Sequence, residues 1–204
     1  MSFRRIFSKR ILPQKNRFIL NRPLASLHPW YINIRNDSTI GGIDEIQFKH
    51  KIEQYEMKAT EKLRNGEASE ALELYLKANS LQPNATLLYN IGVCKYQLGQ
   101  IDEALSTWEK SLEVMPMVAD VHVNMANVYF LHKKSADKAI KHLGIASSLS
   151  PNDGEISYNY GCILDASGNL EEALVQYKSA LENGISKAEV NIRNIMIKLS
   201  AKKA

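Results

Sequence analysis

Three histidines have the residue type and regular spacing that first raise the question of metal binding. His122, His132 and His142 follow one another at intervals of ten residues. Ten residues of a continuous α-helix turn through about 1000°, so side chains at this interval do not share one face. The three also span two predicted helices, and no cluster of cysteines or carboxylates joins them. The pattern therefore predicts no metal site.

Two pairs of adjacent acids are the other candidates for chemistry. Asp102-Glu103 and Glu171-Glu172 each begin a predicted helix, where carboxylates favour the positive end of the helix dipole. The sequence has no glycine-rich phosphate loop and no nucleophile motif. We therefore predict no catalytic residue, no cofactor and no small-molecule substrate, which means that the chain is not an enzyme.

The charge of the chain is unevenly distributed. The first 36 residues carry eight Lys and Arg and no Asp or Glu, which leaves 18 Lys and Arg against 22 Asp and Glu in the remainder. The larger part is mildly acidic, which argues against a broad nucleic-acid surface. An acid-free, Arg-rich N-terminus with scattered serines is typical of a mitochondrial transit peptide. Residues 1–40 are thus predicted to be a largely disordered mitochondrial targeting segment.

This segment begins with the pattern of a basic amphipathic helix. In residues 2–12, apolar residues recur with helical spacing from Phe3 to Ile11 and basic residues flank them, as in helices that lie on anionic membranes. We predict import to the matrix and cleavage between about residue 22 and Gly41-Gly42, where the helical pattern begins. No run approaches the ~20 apolar residues of a membrane span, and peripheral attachment to a membrane stays open.

Small residues recur at a nearly constant interval in the rest of the chain. Four alanines are separated by 33, 35 and 34 residues: Ala71, Ala104, Ala139 and Ala173. Twelve or thirteen residues before each stands another small residue: Ala59, Gly92, Ala126 and Gly161. Twelve residues after the first three stands a proline: Pro83, Pro116 and Pro151.

This period and its punctuation resemble the tetratricopeptide repeat. Residues 90–116 match the family pattern through one whole repeat, from Asn90-Ile91-Gly92 through Trp108 to Pro116. The resemblance implies an all-α fold, a right-handed α-solenoid of four helix pairs and a C-terminal capping helix. The predicted domain covers 43–204, with repeats at about 52–84, 85–118, 119–153 and 154–186 and the capping helix at 187–203.

The resemblance also implies how the two helices of each repeat, A and B, pack. The small residues lie where helix A crosses helix B and let the backbones approach closely. Glycines are expected in left-handed conformation at the A–B turns: Gly66, Gly99 and Gly168. The large residues later in helix B are expected to fill the gap to the next repeat: Tyr75, Trp108, Leu143 and Tyr177.

In this family the concave surface is built mainly from helix A, which implies a groove for a partner polypeptide. An asparagine stands at the same place in three repeats and in the capping helix: Asn90, Asn124, Asn159 and Asn191. A carboxamide both donates and accepts hydrogen bonds, so this ladder is predicted to pair with a bound backbone; the alternative is that it bonds only to neighbouring helices. The other predicted lining residues are Tyr89, Val93, Gln97, Val123, Asn127, Leu131, Tyr158 and Cys162. This neutral, partly apolar lining suits an extended or helical peptide.

The leading function is a protein-binding adaptor in mitochondria, such as an assembly or quality-control factor, whose protein or peptide partner the sequence does not identify. One alternative is a nucleic-acid- or ribosome-associated protein that uses the basic N-terminal arm. Another is a cytosolic cochaperone of the kind that holds the acidic C-terminus of a heat-shock protein with lysines and arginines around the asparagine. Here the matching positions hold Glu56, Thr60, Asp120 and Asn124, which disfavours that clamp.

Overall fold

The computed structural model describes residues 42–203, and the targeting segment predicted at 1–40 lies outside them. All regular secondary structure in the described range is α-helical, as predicted. The helices are α1 Gly42–Arg64, α2 Ala68–Leu81, α3 Ala85–Gln97, α4 Ile101–Val114, α5 Ala119–Leu131, α6 Ala136–Leu149, α7 Gly154–Ala166, α8 Leu170–Glu182 and α9 Ala188–Lys203. Within 42–203, no helix combines the length and apolar content needed to cross a bilayer.

The described helices form two compact units that divide between Pro116 and Met117. The first unit holds α1–α4, in which α1 packs on α2, α2 on α3 and α3 on α4. The second unit holds α5–α9, in which each helix likewise packs on the next one along the chain. In both units the A and B helices of each predicted repeat are therefore neighbours, which confirms the helix pairs.

The B helices end just before the predicted prolines, and α3 begins at a capping side chain. The B helices end at Leu81, Val114 and Leu149, two residues before each proline, because proline cannot continue a helix. Asn84 caps α3 by accepting a hydrogen bond from the Leu87 amide at 2.8 Å. Side chains of this type at an N-cap satisfy amides that have no partner inside the helix.

Three of the A–B turns use glycine in the left-handed region, as predicted. Gly66, Gly99 and Gly168 have φ of +82°, +79° and +86°. In the third repeat Lys134 takes this role with φ of +54°, although a side chain makes that conformation unfavourable. The turn of 132–135 therefore achieves with a lysine what the other turns achieve with glycine.

The residues predicted at the helix crossings are all in the core. Each of the crossing alanines is fully buried: Ala59, Ala71, Ala104, Ala126, Ala139 and Ala173. The two crossing glycines are contacted by the large residue of helix B in their own repeat. A Cβ on Gly92 would stand 2.3 Å from Trp108 Nε1, and a Cβ on Gly161 would stand 2.8 Å from Tyr177 Cδ1.

This contact adds a neighbour that the sequence did not predict. Trp108 and Tyr177 were predicted to fill the gap to the next repeat, and Tyr177 does pack with Ala188 and Ile195 of the following helix α9. Each ring also lies against the glycine of its own helix A. The physical reason is that a glycine leaves a hole in the surface of helix A, and a planar ring fills it. Where the crossing residue is Ala59, the ring of Tyr75 is instead held by a 2.9 Å hydrogen bond between its hydroxyl and Thr60.

Helix α9 packs against the second unit with one apolar face. Ile195 is fully buried, and Ile192 and Leu199 pack in the same cluster as Tyr177. Val190 and Met196 of the same helix are more than half exposed at 57% and 55%. Only one stripe of a helix can face its neighbour, so these two residues point outward.

Candidate functional site

Four of the predicted lining residues are packed inside the protein and do not form an accessible surface. Tyr89, Val123 and Asn124 are fully buried and Val93 is 1% exposed. Val123 belongs to an apolar cluster with Ala126 and Leu143. For these four side chains the structure corrects the prediction, because a side chain with no exposed area cannot contact a partner. Their role is to hold helix A in place.

Most of the other predicted lining residues of the second unit are partly exposed. Tyr158 and Asn159 are partly exposed, as are Leu131 and Asn191. Cys162 lies beside both Tyr158 and Tyr177, and Asn191 of α9 lies beside Tyr177. Residues of α7, α8 and α9 therefore meet around the Tyr177 side chain. For Asn159, contact with a ligand stays a prediction.

One face of the Tyr158 ring is occupied by a lysine. Lys187, which precedes α9, lies 4.1 Å from the centre of the ring and 3.2 Å from the carboxylate of Glu155. A cation over an aromatic face is stabilised by the charge distribution of the ring. Burial raises the pKa of the Tyr158 hydroxyl, and the neighbouring Cys162 adds to this effect. Tyr158 is therefore a neutral group at physiological pH.

Two predicted asparagines are buried with an unmatched polar atom. Asn90 in α3 and Asn127 in α5 are each only 5% exposed. Asn90 Oδ1 and Asn127 Nδ2 have no hydrogen-bond partner among the residues that the structure describes. A buried polar atom without a partner costs about 1–3 kcal/mol, so such atoms are uncommon and indicate places where a further group can bind. Asn90 is the more informative of the two because it lines a cavity.

This cavity lies within the first unit and has a volume of about 700 Å³. Its lining comes from α1, α2 and α3: His50, Glu53, Gln54, Glu56, Met57, Thr60, Glu61, Arg64, Tyr75, Thr86 and Asn90. The size is in the usual range of ligand-binding clefts. Most of the lining belongs to α1, the first A helix, and none of the predicted groove residues lies on this helix. The signal that was available is the helical spacing of polar residues from Glu53 to Arg64.

The histidines form a close pair, which their spacing in sequence does not reveal. His122 Nδ1 in α5 and His142 Nδ1 in α6 are 2.9 Å apart. Tyr129 stacks on the His142 ring at 5.4 Å between centroids. Burial, with a further contribution from His122, lowers the pKa of His142 to about 4. In the described part of the chain, no group of three or more His, Cys, Asp or Glu side chains is arranged to hold a metal.

Comparison with known proteins agrees with this architecture. Two family models described as tetratricopeptide repeat match residues 56–115 and 154–183. The stretch between them contains the repeat with the Lys134 turn. A UDP-N-acetylglucosamine--peptide N-acetylglucosaminyltransferase of Giardia intestinalis is 26% identical over 72% of this chain. The chain spans only 11% of that enzyme.

Solved structures show the same fold. YrrB, described as a TPR protein with an unusual peptide-binding site, has a TM-score of 0.61 and 25% identity, with 78% of this chain and 82% of YrrB covered. The first TPR of Spaghetti (RPAP3), bound to the HSP90 peptide SRMEEVD, has a TM-score of 0.53 and 25% identity, with 57% and 94% covered. MamA of Desulfovibrio magneticus RS-1 has a TM-score of 0.64 and 20% identity, with 75% and 88% covered. Residues 56–115 and 154–183 are therefore similar to tetratricopeptide repeats, and the described helices have the fold of these solved structures.

Proposed function

We propose that this chain is a non-enzymatic interaction adaptor of the mitochondrial matrix, which holds a partner polypeptide against the A helices of its repeats as an assembly or quality-control factor. The observation that carries the proposal is Asn90. Its carboxamide has an unmatched oxygen and lines a cavity of about 700 Å³ beside the first two A helices. A polypeptide carries donors and acceptors along its whole length, so it can satisfy such an atom.

The relatives support the binding of a peptide. YrrB is described by its peptide-binding site, and the Spaghetti domain is bound to a peptide. Both are 25% identical to this chain. The match to a glycosyltransferase does not favour catalysis, because so little of that enzyme is covered. The acid-free, Arg-rich segment of residues 1–36 supports mitochondrial targeting,.

Site-specific photocrosslinking in isolated mitochondria tests this function. A benzophenone side chain is placed at Gln97 in α3 or at Asn159 in α7, two predicted contact positions that are not buried. The matched control is Val175, which is 61% exposed on the B helix α8. We expect the same partner protein to be linked from Gln97 and Asn159 and not from Val175. Partners linked from Val175 alone would contradict binding at the A helices.

A further inference from the structure

The cavity of the first unit has a strongly acidic wall. Glu53, Glu56 and Glu61 of α1 line it, and Arg64 is the cation among its lining residues. These positions follow one another at intervals of three, five and three residues, which spreads them over about 140° of the helix surface. With three carboxylates against one guanidinium, the wall is negative at neutral pH. It attracts cations and repels anions.

The negative charges of Glu53 and Glu56 destabilise each other. Glu53 and Glu56 are three residues apart on a helix, where like charges repel. Burial raises the pKa of Glu56, and the charge of Glu53 raises it further. A cation between them would remove this repulsion, so the folded protein gains from binding one.

Asn90 of α3, which also lines the cavity, is an independent sign of a ligand. It is 5% exposed, and its Oδ1 has no hydrogen-bond partner in the described range 42–203. The carboxamide oxygen is an acceptor only, as are the ionised carboxylates of α1. The complementary group is one that only donates hydrogen bonds and carries positive charge, which describes a lysine ammonium or an arginine guanidinium.

The apolar part of the cavity fits the stem of such a side chain. Met57 is 67% exposed and lines the cavity. Lysine and arginine bury their methylene stems against apolar surface while their charged ends reach polar groups. The volume of about 700 Å³ leaves room for the flanking main chain as well.

We infer that this cavity binds a lysine or arginine side chain of the partner polypeptide. The inference rests on the proposed adaptor function and defines the chemistry of the partner as a basic segment. The same wall disfavours an acidic peptide. The peptide bound by the Spaghetti domain, SRMEEVD, is of this kind because it contains three acidic residues.

Peptide binding to the full chain tests the inference. The probes are two fluorescein-labelled peptides of alanine with three evenly spaced arginines or three glutamates, measured by fluorescence anisotropy. We expect the arginine peptide to bind and the glutamate peptide not to bind. Replacing both Glu53 and Glu56 by Gln should weaken the arginine peptide about tenfold, since two charge-assisted contacts are lost. Binding of the glutamate peptide with equal affinity would overturn the inference.

A matched variant separates a local site from the general negative field of the chain. Glu109 and Glu113 are exposed on α4 and do not line the cavity. Their double replacement by Gln removes the same charge and should change the affinity less than about twofold, because distant exposed charges are screened. Equal weakening by the two double variants would overturn the assignment to the cavity. Circular dichroism checks that both variants keep their helices.

Two further outcomes would point to a different occupant or a different binding site. Carbodiimide links a carboxylate to an amine in direct contact, so a link from Glu53 or Glu56 to Lys9 or Lys15 of the same chain would overturn a partner's side chain as the occupant. If the arginine peptide failed to bind the parent chain while the photocrosslink from Gln97 to a partner still formed, the cavity assignment alone would be overturned. If neither the peptide complex nor the photocrosslink formed, the adaptor function would be overturned as well.

Discussion

Trp108 lies so close to Gly92 that a single methyl group on that glycine would stand 2.3 Å from the indole nitrogen. The ring is fully buried, and its Nε1 donates a 3.1 Å hydrogen bond to the carbonyl oxygen of Tyr89. The indole is thus fixed both by packing and by a hydrogen bond to the helix that it covers. The contact explains why helix α3 has a glycine in its interior, where glycine is unfavourable.

Replacing Gly92 by Ala should therefore destabilise the protein although alanine favours helices. The methyl group would force the buried Trp108 ring to shift and lengthen its hydrogen bond to Tyr89. We expect a loss of roughly 1–3 kcal/mol, as is usual for overpacking. Thermal and denaturant unfolding followed by circular dichroism measure this.

The matched control is Gly144→Ala in α6. The nearest atom to a Cβ on Gly144 is the Tyr160 hydroxyl at 3.4 Å, an ordinary contact. This variant should gain about 0.5–1 kcal/mol from helix propensity. If both glycine variants unfolded at the same temperature as the parent, the tight contact between α3 and α4 would be contradicted.

Replacing Lys134 by Gly should stabilise the third repeat. Lys134 has φ of +54°, and a side chain in that region costs roughly 1–2 kcal/mol. Glycine removes this cost but loses more freedom on folding, and the bond from Lys134 Nζ to the Leu131 carbonyl is exposed and contributes little. The expected net gain is about 0.5 kcal/mol, measured by denaturant unfolding. Lys133→Gly, one residue earlier and without a positive φ, should not stabilise.

Acid should weaken the second unit through His142. Its pKa is lowered from 6.5 to about 4 in the folded protein, because burial disfavours the charged form and because His122, Lys141 and Lys138 are nearby. The unfolded chain therefore binds more protons between these values. The stabilisation is fully present above about pH 6.5 and is lost as the pH falls towards 4. Unfolding temperatures measured across this range should decrease accordingly.

The variant His142→Gln isolates this effect. A glutamine can still hydrogen-bond to His122 but does not titrate, so the fall in unfolding temperature between pH 6.5 and 4 should be smaller than in the parent. An identical pH dependence in the parent and in His142→Gln would show that His142 does not cause it.

Residues 1–40 fused to a fluorescent reporter should direct it to mitochondria. Replacing Arg4, Arg5 and Arg10 by Glu should leave the reporter in the cytosol, because it reverses the charge of the predicted helix. Each positive charge gains about 2.3 kcal/mol per 100 mV of membrane potential on entering the matrix. Microscopy and protease protection of isolated mitochondria measure import.

A control with the same change in charge tests whether the helix itself is recognised. Arg17, Arg22 and Arg35 lie outside the predicted helix of residues 2–12. Replacing these three by Glu should therefore reduce import less. Unchanged import of the first variant would contradict the targeting prediction. N-terminal sequencing of the mature protein then distinguishes a removed targeting segment from a retained basic arm that binds nucleic acid.

The sequence by itself determined the helices and their pairing. Crossing residues such as Ala104, turn glycines such as Gly99 and terminators such as Pro116 act through local backbone chemistry, and their spacing repeats along the chain. Each therefore leaves a signal in the sequence, and the predicted helix pairs and buried alanines are confirmed. The sequence indicated that the ring of Trp108 packs between helices. It did not indicate that the ring lies against Gly92.

Only the tertiary structure decided which side chains meet. His122 and His142 are twenty residues apart and form a hydrogen bond because the turn between α5 and α6 brings their helices side by side. Tyr89 and Asn90 are adjacent in sequence, yet one is fully buried and the other lines the acidic cavity. Helix periodicity gives the direction of a side chain within its own helix. Whether that direction ends in the core, on a neighbouring helix or in a cavity depends on how the helices cross, and that is set by the packing of the whole unit.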